Sequence, residues 1–94
     1  MAEHDIAMRS VEELLRAVLP PATVVLHNDD VNSVDHVIES LLSSVPELEP
    51  ARAVQVTLTA HEHGEADVIA CPLERAELYR ERLERNGLTA TIRR

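Results

Sequence analysis

With 94 residues, five prolines and two glycines, the chain has room for one compact domain; a second would have no core of its own. Seventeen carboxylates against nine arginines and no lysine give a formal net charge of −8. That balance disfavours nucleic acid and anionic membranes as partners, because phosphate is bound chiefly through Lys and Arg.

Phe and Trp are absent and Tyr79 is the sole aromatic, so the core must be Leu, Val, Ile and Ala, and stacking on nucleobases is not available. An acidic surface favours cationic partners, such as an amino terminus or a basic face of another protein. Cys71 is the only cysteine, which rules out an internal disulfide framework and fits a reducing compartment. Its apolar neighbours predict a buried thiol. The opening Met-Ala-Glu-His-Asp lacks a basic stretch followed by an apolar run, and no run of roughly 18 apolar residues occurs, so a soluble, cytoplasmic protein is expected.

In chain order, residues 1 to 9 are polar and without periodicity. Ser10 and Glu13 have capping-box spacing, and Val11, Leu14, Leu15, Val18 and Leu19 recur at helical intervals until Pro20-Pro21. Residues 1–21 therefore read as an N-terminal extension, a flexible tail plus a short helix, and residues 22–94 as the domain. Ala22 to His27 contains the β-branched run Thr-Val-Val-Leu and predicts a first strand, ended by Asn28-Asp29-Asp30. Asn32-Ser33 supply N-cap chemistry for a helix with Val34, Val37, Ile38, Leu41, Leu42 and Val45 on its inner face. Pro50 suits the first turn of a second helix, whose inward positions read as Ala51, Val54, Leu58 and Ala60, ending at His63-Gly64. Ala66 to Cys71 predicts a second strand. Pro72 opens a third helix with Leu73, Ala76, Tyr79 and Leu83 inward, Asn86-Gly87 closes it, and Leu88 to Ile92 alternates as a third strand. The order β-α-α-β-α-β predicts an α/β (α+β) two-layer sandwich, a three-stranded antiparallel sheet with three helices on one face.

The most polar cluster is His27-Asn28-Asp29-Asp30, between a strand end and a helix start. Two adjacent carboxylates make a negative field that a fixed cation would relieve. The ordinary alternative is a strand-ending turn, since Asn and Asp favour turns through local backbone bonds. His61 and His63 can act as neutral hydrogen-bonding groups, or simply sit at an exposed helix C-terminus, which favours positive charge. No His-x-x-x-His, Cys-x-x-Cys or HExxH spacing points to a metal site. An enzyme could use Asp29, Asp30 and His61, but no nucleophile motif, phosphate loop or cofactor fingerprint accompanies them.

Val-Val-Leu-His-Asn-Asp-Asp at 24 to 30, Val37-Ile38, Ala53-Val54-Gln55, and His61 with Gly64 together resemble the ClpS family, from about Thr23 to the closing Asn-Gly-Leu-Thr-Ala-Thr and Ile92. The resemblance implies the same β-α-α-β-α-β fold. It also implies a non-enzymatic adaptor, without cofactor or metal, that binds N-degron substrates and delivers them to a Clp-type AAA+ unfoldase and its peptidase. Carried over by position, Asn28, Asp30 and His61 would bind the substrate's α-amino group, and Asp29 would shape the same loop. Leu26, Asn32, Val34, Val37, Thr57, Ala60 and Leu88 match the family's pocket for the first side chain; for Val34, Val37 and Leu88 ordinary core packing is the alternative. Val34 and Thr57 stand where the family often has methionine, which reshapes the pocket, and Asn32 replaces a common threonine. Glu74, with Tyr79 nearby, matches the contact with the N-terminal domain of the unfoldase, a solvated helix charge being the simpler account of Glu74. The remaining readings are a protein-interaction domain of ribosomal-stalk-like fold, whose lysine-rich helical face is missing, and a small hydrolase.

Overall fold

The computed structural model describes residues 19–94 together with Val11, Glu13 and Leu14. The helix expected between Ser10 and Leu19 falls for the most part outside the described residues. From Ala22 onward the elements are β1 (Ala22–His27), α1 (Val34–Ser44), α2 (Pro50–His63), β2 (Glu65–Cys71), α3 (Leu73–Arg85) and β3 (Thr89–Arg93).

The sheet order is β2-β1-β3 with both pairings antiparallel, so β1 lies at the centre. Its alternate residues Ala22, Val24 and Leu26 are buried in one core with Leu41, Val45, Val56 and Leu83 from the helices. This is the two-layer arrangement that gives each apolar stripe a partner. The register of β1 on β2 shifts between Val24 and Val25. Such a bulge carries an extra residue, and Val68 and Cys71, three positions apart, are both buried as a result. Burial also pushes the Cys71 thiol above its ordinary pKa, which suits an inert core group. On the other side of the sheet, Arg93 reaches from β3 across β1 to Asp67 on β2 at 2.7 Å, and Val25 beneath is only 2% exposed.

The local signals explain the helix ends. Ser33 caps α1, its hydroxyl accepting the His36 N–H at 3.2 Å. Pro50 opens α2 and Gly64 closes it at φ 89°, its N–H bonding to the Ala60 carbonyl at 2.8 Å. Gly87, at φ 85°, follows α3 in a Schellman motif: its N–H bonds to Glu84 O at 2.9 Å and the Leu88 N–H to Leu83 O at 3.1 Å.

The inner face of α2 differs from the expected one. Ala51 is exposed, Val54 and Leu58 are 40% and 51% exposed, and the buried positions are Ala53, Val56, Thr57 and Ala60. Both sets have helical spacing, so periodicity alone could not choose between them. The helix lies against β2, where small Ala53 and Ala60 permit close approach, and the Thr57 hydroxyl is satisfied by donating to Ala53 O at 2.8 Å. From the first turn of α2, Arg52 donates to the Asp67 main-chain carbonyl at 3.1 Å on edge strand β2.

Tyr79 is buried in α3 and its hydroxyl donates to Glu47, which Arg75 also meets at 3.2 Å. Burial first, and then the Glu47 carboxylate, push the phenol up to about 12. The same hydrogen bond holds the Glu47 carboxyl below its ordinary value. For the phenol the folded value lies above the unfolded one of about 10, so its contribution to stability is complete below pH 10 or so and drains as pH rises through the folded value. Because Tyr79 is the only tyrosine, tyrosinate absorbance reads this one group. The expected native midpoint is about 12, falling to about 10 on denaturation; a native midpoint equal to the denatured one contradicts the buried, Glu47-bonded hydroxyl.

Candidate functional site

Three connections converge where β1 ends. The loop from β1 to α1 carries Asn28 to Ser33, the C-terminus of α2 carries His61 and Gly64, and the turn after α3 carries Gly87 and Leu88. Two hydrogen bonds tie them together: Asn28 N–H to Gly64 O, and Asn32 Nδ2 to Gly87 O, both at 2.9 Å. A third tie runs from α1, where His36 Nε2 donates to Asn86 O at 2.6 Å. That last contact assigns the Nε2–H form of the ring.

Between these segments lies a hollow of about 280 Å³. Every residue the resemblance places at the rim or in the pocket lines it: Asn28, Asp29, Asp30 and His61, with Leu26, Asn32, Val34, Val37, Thr57, Ala60 and Leu88. Leu26, Thr57, Ala60 and Leu88 are buried, Val37 is half-buried and Val34 stands 53% exposed. An apolar interior with a few polar groups at its edge, at the small end of ligand sites, fits one bulky side chain. His27 and Ser33 also line it and were not among the expected site residues. His27 belongs to the polar cluster in sequence, and its Nε2 lies 2.7 Å from Thr91 Oγ1; Ser33 is the helix cap. Their adjacency to the rim loop was the available signal.

The two adjacent carboxylates have different environments. Asp29 Oδ1 accepts the N–H groups of Val31 and Asn32 at 3.1 and 3.0 Å, and Asn32 Nδ2 lies 3.1 and 3.0 Å from its two oxygens. The Asn32 backbone bond, foremost, holds the Asp29 carboxyl below its ordinary value. Asp30 is exposed, with no hydrogen-bond or ion-pair partner among the described residues. Asp29 thus organises the loop, while the charge of Asp30 is free to meet a ligand. Glu74 is exposed in the first turn of α3, beside a second hollow of about 340 Å³ lined by Leu19, Pro20, Pro21, Pro72, Leu73, Glu74 and Arg94. Tyr79 does not share that surface: it is 4% exposed and turned into the core, so its expected pairing with Glu74 as a contact is corrected to an inward role.

Replacing Asp29 by Ala is expected to lower stability by about 1–2 kcal/mol, since several N–H groups lose a charged acceptor. In hydrogen exchange the Val31 and Asn32 amides should open faster; unchanged protection at both would contradict the closing role. Because the folded carboxyl sits below its ordinary value, this stabilisation is present above the unfolded pKa of roughly 4 and is lost as pH falls through the folded one.

The sequence matches the family described as "ATP-dependent Clp protease adaptor protein ClpS" over residues 19–91. Among similar curated proteins, an ATP-dependent Clp protease adapter protein ClpS of Gloeobacter violaceus is 41% identical over 91 residues, covering 97% of this chain and 95% of the relative. The protein of the same description from Synechococcus elongatus is 40% identical over 77 residues, 82% of this chain and 81% of the relative. Among solved structures, Agrobacterium tumefaciens ClpS2 bound to L-phenylalaninamide matches with a TM-score of 0.73 at 25% identity, covering 79% of this chain and 95% of that one. A match that runs from the residues before β1 into β3, and so takes in all three connections around the hollow, makes the chain a member of the ClpS family of ATP-dependent Clp protease adaptors.

Proposed function

We propose that the chain holds the free N-terminus of a protein whose first residue is bulky and apolar, and hands that protein to a Clp AAA+ unfoldase for degradation. The observation that carries this reading is the single hollow in which an apolar interior meets Asn28, Asp30 and His61. An α-ammonium has a reference pKa of about 7.7–8.0 and offers three donors. A carboxylate, an amide oxygen and a neutral imidazole nitrogen suit those donors, with Asp30 supplying the opposite charge. The adjoining hollow takes the first side chain, whose burial contributes roughly 1.5–3 kcal/mol. L-phenylalaninamide, the ligand of the related ClpS2, joins a free α-amino group to an apolar aromatic side chain, which supports the same division of labour.

No bond is made or broken in this role: the chain binds and presents, without cofactor or metal. Residues 22–94 form the binding domain, and residues 1–21 are the extension offered to the unfoldase. The exposed carboxylate of Glu74, beside the hollow next to Pro20-Pro21, contacts the N-terminal domain of that partner. Among the described residues no helix is long and apolar enough to cross a membrane, and a lone buried Cys71 suits a reducing cytoplasm.

Fluorescence anisotropy with peptides that begin with Phe, free or acetylated at the N-terminus, tests the reading. Acetylation removes the charge and two donors and is expected to abolish measurable binding. Asp30→Ala should weaken the free peptide by at least about 10-fold while leaving the fold intact, because a hydrogen bond to a charged group is lost. Equal affinity for both peptides, or for both proteins, would remove the assigned rim.

A further inference from the structure

Two polar side chains in the wall of the hollow, Thr57 and Asn32, have their hydrogens already committed. Thr57 is 6% exposed and its hydroxyl hydrogen goes to Ala53 O at 2.8 Å. A threonine oxygen that donates once still has lone pairs to accept with. Asn32 is in the same condition: its Nδ2 hydrogens are directed to Asp29 and to Gly87 O, and its Oδ1 can only accept. Both residues line the hollow. Thr57 is also one helical turn from His61 on the same side of α2, so about 6 Å of helix axis separates it from the rim. That is comparable to the reach of a tyrosine ring with its hydroxyl when the amino group sits at the rim.

We infer that Thr57 is a specificity-determining residue, selecting first side chains that carry a hydrogen-bond donor at the far end of an apolar body, tyrosine above all, over phenylalanine. The inference rests on the proposed N-terminus binding and adds the choice among bulky first residues. A phenol entering the hollow donates to Thr57 Oγ1, whereas a phenyl ring leaves that buried oxygen with its single bond to Ala53. The aliphatic lining of Leu26, Val37, Ala60 and Leu88 contacts both rings alike and contributes no preference between them.

The test measures dissociation constants of the full chain for two peptides that differ only in Tyr or Phe at residue one. Thr57→Val keeps the shape of the side chain and removes the acceptor. It should lower the Tyr-to-Phe affinity ratio by about 3- to 10-fold, the worth of one neutral hydrogen bond, whatever common change it makes to both peptides. Thr57→Ser keeps the hydroxyl and should retain the wild-type Tyr-to-Phe ratio, and circular dichroism checks that both variants fold. Equal changes for the two peptides in Thr57→Val overturn the inference while the binding function stands. Failure of the wild-type chain to bind either peptide overturns both.

Discussion

A carboxylate that accepts two backbone N–H groups and the side-chain amide of a neighbour has little freedom left, and Asp29 is in that position between β1 and α1. The loop it closes carries the rim residues, so their placement depends on this one acceptor. Asn32 extends the constraint by reaching Gly87 O, which couples the loop to the turn that delivers Leu88. Hydrogen bonds to an ionised acceptor are stronger than neutral ones, which makes a short polar segment competent to position a site without being buried. Two glycines at positive φ, Gly64 and Gly87, complete the frame at the ends of α2 and α3. Each lets a helix end abruptly enough for the chain to turn back beside β1.

The same arrangement separates the two acidic residues by task. Asp29 spends its charge on the protein and Asp30 keeps its own for solvent or ligand, although they are neighbours in the chain. A ready-made acceptor edge costs the ligand little rearrangement, which is where pre-formed sites gain affinity over floppy ones. The chain's overall acidity acts in the same direction, since a net charge of −8 attracts cationic groups before any contact is made.

Much of this was legible in the residues. Turn and cap chemistry located the elements to within a residue or so: Pro50, Gly64, Pro72 and Asn86-Gly87 stand at the boundaries they predicted. Periodicity failed on α2 because Ala51, Val54 and Leu58 repeat as well as Ala53, Val56 and Ala60 do, and only the sheet decides which stripe is covered. There the resemblance outperformed the pattern, since it named Thr57 as a lining residue, whereas Ala60 stood inward on both readings. Tyr79 shows the opposite case: helical spacing turned it inward correctly, and the positional match to a partner contact did not fit its burial. The distinct roles of Asp29 and Asp30 follow from how the loop folds back on one of them, a three-dimensional matter that adjacency in sequence does not encode. The contribution of Ser33 and His27 to the wall was likewise hidden, because each already had a sufficient local reason to be where it is.

The hydrogen bond from Arg52 to the Asp67 carbonyl bears on the company this protein keeps. A sheet margin with open acceptors and donors is a template for any extended chain, and an adaptor that handles polypeptides bound for unfolding would meet such chains constantly. With a guanidinium occupying part of that margin on β2, and a bulge at Val68 twisting the same strand, stray strands find a poor docking line. On that edge a passing strand is turned away by a side chain rather than by burial, so the sheet keeps an exposed flank without offering it as a ladder.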